Sequence, residues 1–309
     1  MPAAGELPCA EAKTGPMITA SDGIRLHVRA VGSGPPLVFA HEFSGDARSW
    51  DPQISFFSRY YRCTVYCARG YPPSDVPKAL QAYDQTRAAE DLADVVRAVT
   101  DGAAHVVGLS MGGFAALHFG LRYPQLARSL TIAGVGYGAK PEQQPEHGLA
   151  MKREAAHAEA IGMTGFAREL AGSAYARCLR AKDEVGWRKF AGQLSEHSVA
   201  GMAMTLRGIL AARPSLWHLA DRLREFNVPV LLLSGDEDTP CLEPNLFLKS
   251  TLPNAALAIM PRSGHLINLE EPMLFNSLVF GFLAAVDGGG WSRWRGGPDQ
   301  VAAAEGERA

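Results

Sequence analysis

The stretch "HVVGLSMGGFAALHFG", residues 105–120, carries the residues best suited to do chemistry. Gly108, Ser110 and Gly112 fit the pattern G-x-S-x-G, in which a strand turns into a helix within a few residues and lifts a serine above the sheet. Side chains two positions before and after the serine would collide in so sharp a turn. The pattern therefore predicts a nucleophilic serine, and the alternative interpretation is a tight turn without chemistry.

A serine becomes nucleophilic beside a general base, which needs an orienting acid. The segment "PVLLLSGDEDTP" reads as a strand that ends in a glycine and three acids, Asp236, Glu237 and Asp238. The next predicted strand is followed by His265 in "SGHLINLEEP". The order serine, acid, histidine predicts a triad at neighbouring strand ends. From the residues alone the three acids compete, and Asp238 also suits a turn-forming or helix-capping role.

Short apolar runs alternate with helical patterns over most of the chain. The segment "MITASDGIRLHVRAVG" predicts an antiparallel hairpin that turns at Asp22-Gly23. The segment "DQTRAAEDLADVVRAVT" has apolar residues at helical spacing along one face. Further strands are predicted at 37–41, 63–67, 105–109, 129–133, 229–234 and 256–260. This alternation predicts an α/β fold with a mostly parallel central sheet and helices on both faces.

The alternation stops between residues 138 and 225. This segment has helical periodicity without a strand pattern, and predicts helices at 146–162, 164–179 and 199–212. We therefore expect a helical insertion between two parts of the core, residues 1–137 and 226–286. The Gly-rich, aperiodic end, 287–309, predicts a flexible tail.

Together these features resemble the α/β-hydrolase family over residues 17–285. The likeness rests on His41 after the third strand, the Arg69-Gly70 turn after the fourth, the G-x-S-x-G turn, the G-x-x-D at 235–238 and "SGHLINLEEP". The resemblance implies an α/β-hydrolase fold with a helical cap over the site, and it implies neither a metal nor an organic cofactor.

The resemblance also implies roles for individual residues. Ser110 would be the nucleophile, His265 the general base, and Asp238 the orienting acid, because the family's acid usually lies three residues after the strand-ending glycine. The backbone N–H groups of Phe43 and Met111 would form the oxyanion hole, which stabilises the negative oxygen of a tetrahedral intermediate. The candidate pocket residues are His41, Glu42, Trp217 and Met204.

Glu42 departs from the family pattern, because glycine usually follows the histidine at this position. In one interpretation Glu42 points away from the pocket and pairs with His41 or Arg69. In the other it reaches the pocket wall, where it excludes anionic substrates or holds a substrate hydroxyl or a water. Either way an unpaired buried carboxylate is costly.

Composition limits the classes of partner. The 309 residues carry 30 Lys and Arg against 32 Asp and Glu, a net charge of −2, which gives no electrostatic reason to expect nucleic acid or an anionic membrane surface. Five scattered cysteines without a CxxC pair indicate reduced thiols. The start lacks a signal-peptide pattern and no apolar run is long enough to span a bilayer, so we expect a cytoplasmic protein. The oligomeric state stays open.

These features favour a carboxylesterase-type serine hydrolase that cleaves a small or medium, mainly apolar ester through an acyl-enzyme. Lactone hydrolysis and carbon–carbon bond hydrolysis use the same triad and remain alternatives, although "HEFSGD" lacks the Gly-rich turn usual in the carbon–carbon group. A hydrolase-like receptor with slow or no turnover is a third alternative. Ser110 argues against haloalkane dehalogenases and epoxide hydrolases, which use an aspartate nucleophile.

Overall fold

A computed structural model of the protein describes residues 15–291 and contains one eight-stranded sheet. The strand order is β1-β2-β4-β3-β5-β6-β7-β8. The strands are β1 Met17–Thr19, β2 Arg25–Val31, β3 Pro36–Ala40, β4 Arg62–Tyr66, β5 Ala104–Leu109, β6 Ala127–Ala133, β7 Val230–Gly235 and β8 Ala255–Met260. All the strands predicted from the sequence are present, with small shifts at their ends.

The sheet is antiparallel at one edge and parallel elsewhere. β1 and β2 form the predicted hairpin, and β2 pairs antiparallel with β4. From β4 to β8 every pairing is parallel. In these registers Ala40 lies beside Gly108, and Leu109 beside Ala133. The carboxyl ends of β3, β5 and β6 therefore meet at one edge of the sheet, which is where ligands bind in open α/β sheets.

Helices cover both faces of the sheet, as the fold-class prediction requires. α1 (Asp51–Phe57), α10 (Ile267–Glu270) and α11 (Pro272–Asp287) contribute Phe57, Ile267 and Phe275 to one apolar cluster. α2 (Gln85–Val99), α3 (Met111–Arg122) and α9 (Thr239–Thr251) contribute to a second cluster. A strand buried on both faces is mostly apolar, and all six residues of β5 are buried. Its one polar side chain, His105, is hydrogen-bonded to Ser129 and Asp287.

The segment between β6 and β7 is helical. Its helices are α4 Gln144–Gly172, α5 Arg177–Lys182, α6 Glu184–Ser195, α7 Val199–Thr205 and α8 Ala220–Arg224. α4 bends at Gly162, whose φ of 73° lies in the left-handed region that favours glycine. The first predicted helix, 146–162, is the part of α4 before this bend. The second, 164–179, is divided between α4 and α5, and α6 was not predicted.

The packed core extends to Trp291, beyond the predicted boundary at 286. Asp287 accepts a hydrogen bond from the Tyr61 hydroxyl, and the Trp291 ring lies edge-on against Phe282. The Trp291 indole also donates to Asn254. The rest of the predicted tail, 292–309, lies outside the described residues.

A buried ion pair fixes the turn after β4. Arg69, of which 1% is exposed, donates two hydrogen bonds of 2.6 Å to the two carboxylate oxygens of Asp91 on α2. It also donates to the Ala82 carbonyl and contacts Asp22. This two-pronged geometry suits the planar guanidinium, and it holds α2 against the turn.

We expect Asp91→Ala to lower the free energy of unfolding by about 3 kcal/mol, the lower end for a broken buried pair, because Asp22 still contacts Arg69. Urea denaturation followed by circular dichroism measures this. Asp221→Ala is the matched control, since it removes a carboxylate whose side chain is 97% exposed and pairs with Arg224. It should cost about 0–1 kcal/mol. Equal losses in the two variants would contradict the importance of the Arg69–Asp91 pair.

Candidate active site

Ser110 lies at the turn between β5 and α3 in a strained backbone conformation. Its φ is 53° and its ψ is −112°, and it is one of two non-glycine residues with positive φ among the described residues. A Cβ on Gly112 would overlap the carbonyl group of Ala40, and a Cβ on Gly108 would overlap the backbone of Gly112. The close approach of the serine turn to the end of β3 is the steric reason for Gly112, and the tightness of the turn itself is the reason for Gly108.

Asp238 and His265 are hydrogen-bonded to each other. Asp238 Oδ2 lies 2.7 Å from His265 Nδ1, and each residue is 3% exposed. The competing acids lie elsewhere: Asp236 accepts from the backbone N–H of Ser263, and Glu237 pairs with Arg177. Burial alone would raise the pKa of Asp238, but the charge and hydrogen bond of His265 outweigh it and lower that pKa. Asp238 is therefore the acid that the structure places against the histidine.

The loop that carries His265 is held from both sides. Buried Glu270 accepts hydrogen bonds from the backbone N–H groups of Gly264, at 2.5 Å, and Leu266, at 3.1 Å. A Cβ on Gly235 would overlap the carbonyl of Ser263, so the glycine at the end of β7 allows the loop to approach. Glu270 lies within the motif "SGHLINLEEP", but its place in that motif does not predict this role.

Ser110 and His265 flank the end of β6. The Ser110 backbone N–H donates to the Ala133 carbonyl at 2.8 Å. The next residue, Gly134, lies against the histidine, since a Cβ there would be 3.5 Å from His265 Cε1. The predicted nucleophile, base and acid thus meet at one edge of the sheet.

Phe43 and Met111, the predicted oxyanion donors, are brought together by a tyrosine. The Tyr71 hydroxyl donates to the Phe43 carbonyl at 2.8 Å and lies 3.9 Å from Met111 Sδ. Among the hydrogen bonds of residues 15–291, the N–H groups of Phe43 and Met111 have no protein acceptor. Two backbone donors therefore remain free beside Ser110.

Both ring nitrogens of His41 are hydrogen-bonded to the backbone. Its Nδ1 lies 2.7 Å from the Glu42 carbonyl, and its Nε2 accepts from the Ala68 backbone N–H at 3.0 Å. Burial lowers the pKa of His41 to about 4, so the ring is neutral at pH 7. It lines a cavity of about 20 Å³ beneath Met111, enough for one water.

Glu42 forms neither of the ion pairs that the sequence suggested. Arg69 forms ion pairs with Asp91 and Asp22 instead. His41 contacts the Glu42 backbone rather than its carboxyl group. The carboxyl group is fully buried and accepts from the Ser49 hydroxyl at 3.0 Å. The first interpretation, a Glu42 paired with His41 or Arg69, is therefore wrong, because the side chain folds back into its own loop instead of reaching a cation.

Two tyrosines surround His265, and the sequence gave no signal for either. The Tyr137 ring lies edge-on to the imidazole at 5.2 Å, and the Tyr175 ring lies 5.0 Å away. Tyr175 comes from the helical segment, and its hydroxyl lies 2.8 Å from Ser44 Oγ. A tyrosine at irregular spacing in a helical segment looks like any packing residue, so only the tertiary structure identifies it.

A second contact joins the helical segment to the same loop. Asp46 is buried and accepts from Arg48, and its Oδ2 lies 3.2 Å from His197 Nε2. The His197 ring lies edge-on against Tyr71. Ser44 and Asp46 thus connect the loop after β3 to two separate points of the helical segment.

Met204 and Trp217, the two remaining candidate pocket residues, pack against different apolar clusters. Met204, on α7, packs against the apolar cluster that contains Phe43 and Met111. Trp217 stacks on Phe247 with ring centroids 4.3 Å apart, and packs against the cluster on the opposite face of the sheet. The structure therefore removes Trp217 from the candidate pocket, because its indole is used to pack the end of the helical segment onto α9.

Within residues 15–291, one group of side chains could hold a metal ion. The donor atoms of Asp238, Cys241 and His265 lie within 4.8 Å of one another. Cys241 is fully buried, and burial raises the pKa of its thiol well above the usual value. A metal there would have to replace the hydrogen bond between Asp238 and His265.

Comparison with known proteins identifies the family. The model of the alpha/beta hydrolase fold family matches residues 35–272. This chain belongs to the α/β-hydrolase fold family. The matched residues include strands β3 to β8, the helical segment and the candidate site. This chain also aligns along nearly the whole length of the relatives described below.

Relatives of this α/β hydrolase differ in their reactions. A Bacillus subtilis protein provisionally named 2-succinyl-6-hydroxy-2,4-cyclohexadiene-1-carboxylate synthase is 27% identical over 87% of this chain and 98% of its own length. The 3-oxoadipate enol-lactonase 1 of Acinetobacter baylyi is 26% identical over 87% of this chain and 97% of its own length. A crystal structure of a Pseudomonas aeruginosa hydrolase, 26% identical, covers 88% of this chain and 99% of its own, with a TM-score of 0.76. Among the described residues, no helix of this α/β hydrolase is long and apolar enough to cross a membrane.

The buried Glu42 predicts how the stability of this α/β hydrolase depends on pH. Burial raises the pKa of Glu42 from 4.5 to about 7, so the folded state holds this proton more tightly than the unfolded state. The stability that protonated Glu42 contributes is fully present below pH 4.5. It is lost as the pH rises through 7, which lowers the free energy of unfolding by about 3 kcal/mol in total. Urea denaturation at pH 5 and pH 8 of the wild type and Glu42→Gln measures it. The variant should lose less stability between the two pH values, and an identical loss in both proteins would refute an uncharged Glu42.

Proposed function

We propose that this protein is a serine hydrolase that cleaves a carboxylic ester through an acyl-enzyme. The observation that carries the proposal is the hydrogen-bonded His265–Asp238 pair beside the strained turn of Ser110. A histidine fixed through Nδ1 leaves Nε2 for the serine hydroxyl, which is the arrangement that a serine nucleophile requires. The two free backbone N–H groups at Phe43 and Met111 support the same reaction.

The mechanism follows from these positions. Ser110 Oγ attacks the carbonyl carbon while His265 Nε2 takes its proton, and Asp238 stabilises the charged imidazole. The N–H groups of Phe43 and Met111 donate to the carbonyl oxygen as it becomes negative. His265 then gives the proton to the leaving alcohol, and a water repeats the sequence on the acyl-enzyme.

The surroundings favour an apolar acyl group. The Phe43 ring lies edge-on to Phe166 of α4, with centroids 6.5 Å apart. Met111 lies in one apolar cluster with Met202 of α7. We propose that residues 138–225 act as a cap that shapes this pocket above a core of residues 1–137 and 226–286. Apolar walls with a few fixed donors are the usual composition of a small-molecule site.

Lactone hydrolysis is the second candidate. A lactone is a cyclic ester, so the same attack and the same oxyanion donors serve it, and the Acinetobacter baylyi relative is named an enol-lactonase. A panel of p-nitrophenyl esters of increasing acyl length beside aliphatic γ- and δ-lactones distinguishes the two. We expect higher kcat/KM values for the esters. A consistent preference for lactones would instead indicate that the protein is a lactonase.

Ser110→Ala should keep its fold and lose nearly all ester hydrolysis, because the variant has no nucleophile. Labelling with a fluorophosphonate followed by peptide mapping checks the same point, and the label should be on Ser110 in the wild type and absent from the variant. A label that persists in the variant would refute the assignment of Ser110. Wild-type protein that is labelled but releases product for a single turnover would indicate a receptor rather than an enzyme.

Asp238→Asn should lower kcat by about 10⁴, because an amide neither fixes the imidazole tautomer nor stabilises its charged form. Asp236→Asn is the matched control, since its side-chain oxygen can still accept from the Ser263 N–H. It should change kcat little. Steady-state kinetics on one p-nitrophenyl ester measures both, and the reverse order of effects would mean that Asp236 is the orienting acid.

A further inference from the structure

The loop from residue 42 to residue 50 is built around a carboxyl group. The Glu42 side chain turns back beneath Gly45, and a Cβ on that glycine would overlap both Glu42 Oε1 and Ser49 Oγ. Ser49 Oγ donates to Glu42 Oε1 at 3.0 Å and accepts from the Asp46 backbone N–H at 3.3 Å. Glu42, Gly45 and Ser49 are therefore a matched set, in which each residue requires the other two.

One oxygen of this carboxyl group has no partner. Glu42 is 0% exposed, and its Oε2 lacks a hydrogen bond within the described part of the chain. A buried, half-satisfied carboxylate is costly, whereas a neutral carboxylic acid avoids most of that cost. The enclosure therefore favours the uncharged form.

The carboxyl group is close to the parts that would do the chemistry. Phe43, whose N–H is a predicted oxyanion donor, is the next residue, and the Glu42 carbonyl is held by His41 Nδ1. Glu42 is near enough to His265 for each charge to act on the other. A negative charge here would therefore lie beside the place where the oxyanion forms.

We propose that Glu42 is a positioning residue for the ester cleavage: its uncharged side chain, bonded to Ser49, fixes the loop that presents the Phe43 N–H, and its ionised form opposes the oxyanion. This inference rests on the proposed function. It assigns a use to the residue that stands where the family usually has glycine. Activity should then fall as Glu42 ionises.

Several other charged or titratable groups face this carboxyl group, and their effects on the pH dependence must be distinguished from the titration of Glu42. From its own loop Asp46 adds a negative charge, which Arg48 compensates, and His197 is hydrogen-bonded to the same carboxylate. From other elements come His265, Tyr71 and Tyr175, and burial raises the pKa of both tyrosines far above neutrality. Burial raises the pKa of Glu42 to about 7, so a change near that pH that disappears on replacing Glu42 belongs to Glu42.

The Phe43 amide resonance tests the link without any need for turnover. The protein is labelled with ¹⁵N-phenylalanine, the Phe43 signal is assigned with Phe43→Leu, and spectra are recorded from pH 5.5 to 8.5. We expect the wild-type Phe43 signal to shift with a midpoint near 7, and the shift to be absent in Glu42→Gln. A shift that persists in Glu42→Gln, or none in the wild type, would overturn the proposal.

The pH profile of kcat/KM tests the consequence for catalysis. In the wild type kcat/KM should fall above pH 7 by roughly tenfold, the effect of one nearby charge in a partly polar site. Glu42→Gln should remove this fall, so the quantity compared is the ratio of kcat/KM at pH 6 to kcat/KM at pH 8.5 within each protein, whatever the absolute activity of the variant. Glu142→Gln, which removes an exposed carboxylate, is the control and should keep the wild-type profile. A fall that is unchanged in Glu42→Gln refutes the catalytic part, and an absence of hydrolysis in every protein refutes the proposed function while the Phe43 signal still decides the link to Glu42.

Discussion

The candidate site depends on one close contact, the approach of the Ser110 turn to the end of β3. There is no room for a side chain on Gly112 against the Ala40 carbonyl. The contact places the first amide of α3 beside the loop that starts at His41, so that Met111 and Phe43 lie near each other. It also forces Ser110 into positive φ, a conformation that non-glycine residues adopt at a cost. The backbone strain and the position of the two predicted oxyanion donors therefore have a common origin.

Much of the architecture could be predicted because it depends on local patterns. Apolar runs and helical spacing gave the strands from β3 to β8 and helix α2 close to their observed ends. The pairing of Asp238 with His265 followed from the family pattern of a glycine and an acid three residues later, and the hydrogen bond is present. Each of these features depends on residues that lie close together in the sequence, so it can be predicted from a single sequence.

The features that were predicted wrongly, or not at all, are contacts between segments that are distant in the sequence or that depend on how a loop folds. Trp217 had the right residue type for a pocket, but its neighbour, Phe247, lies thirty positions along the chain and on the far face of the sheet. The partner of Glu42 was expected among cations and is the Ser49 hydroxyl, because the loop curls on itself around Gly45. Tyr137, which comes just before the helical segment, and Tyr175, which lies within it, both contact His265. Neither periodicity nor spacing reports such three-dimensional neighbours.

The two contacts between the helical segment and the loop after β3 have a consequence for how the molecule can move. Tyr175 is bonded to Ser44, and His197 to Asp46, on either side of Gly45. Any displacement of the helices wide enough to admit a large molecule must break these bonds or pull the loop with it. Admission of a ligand and the shape of the loop are therefore mechanically coupled. A mutation that loosens either bond alters both at once, so entry and chemistry cannot be tuned independently at these residues.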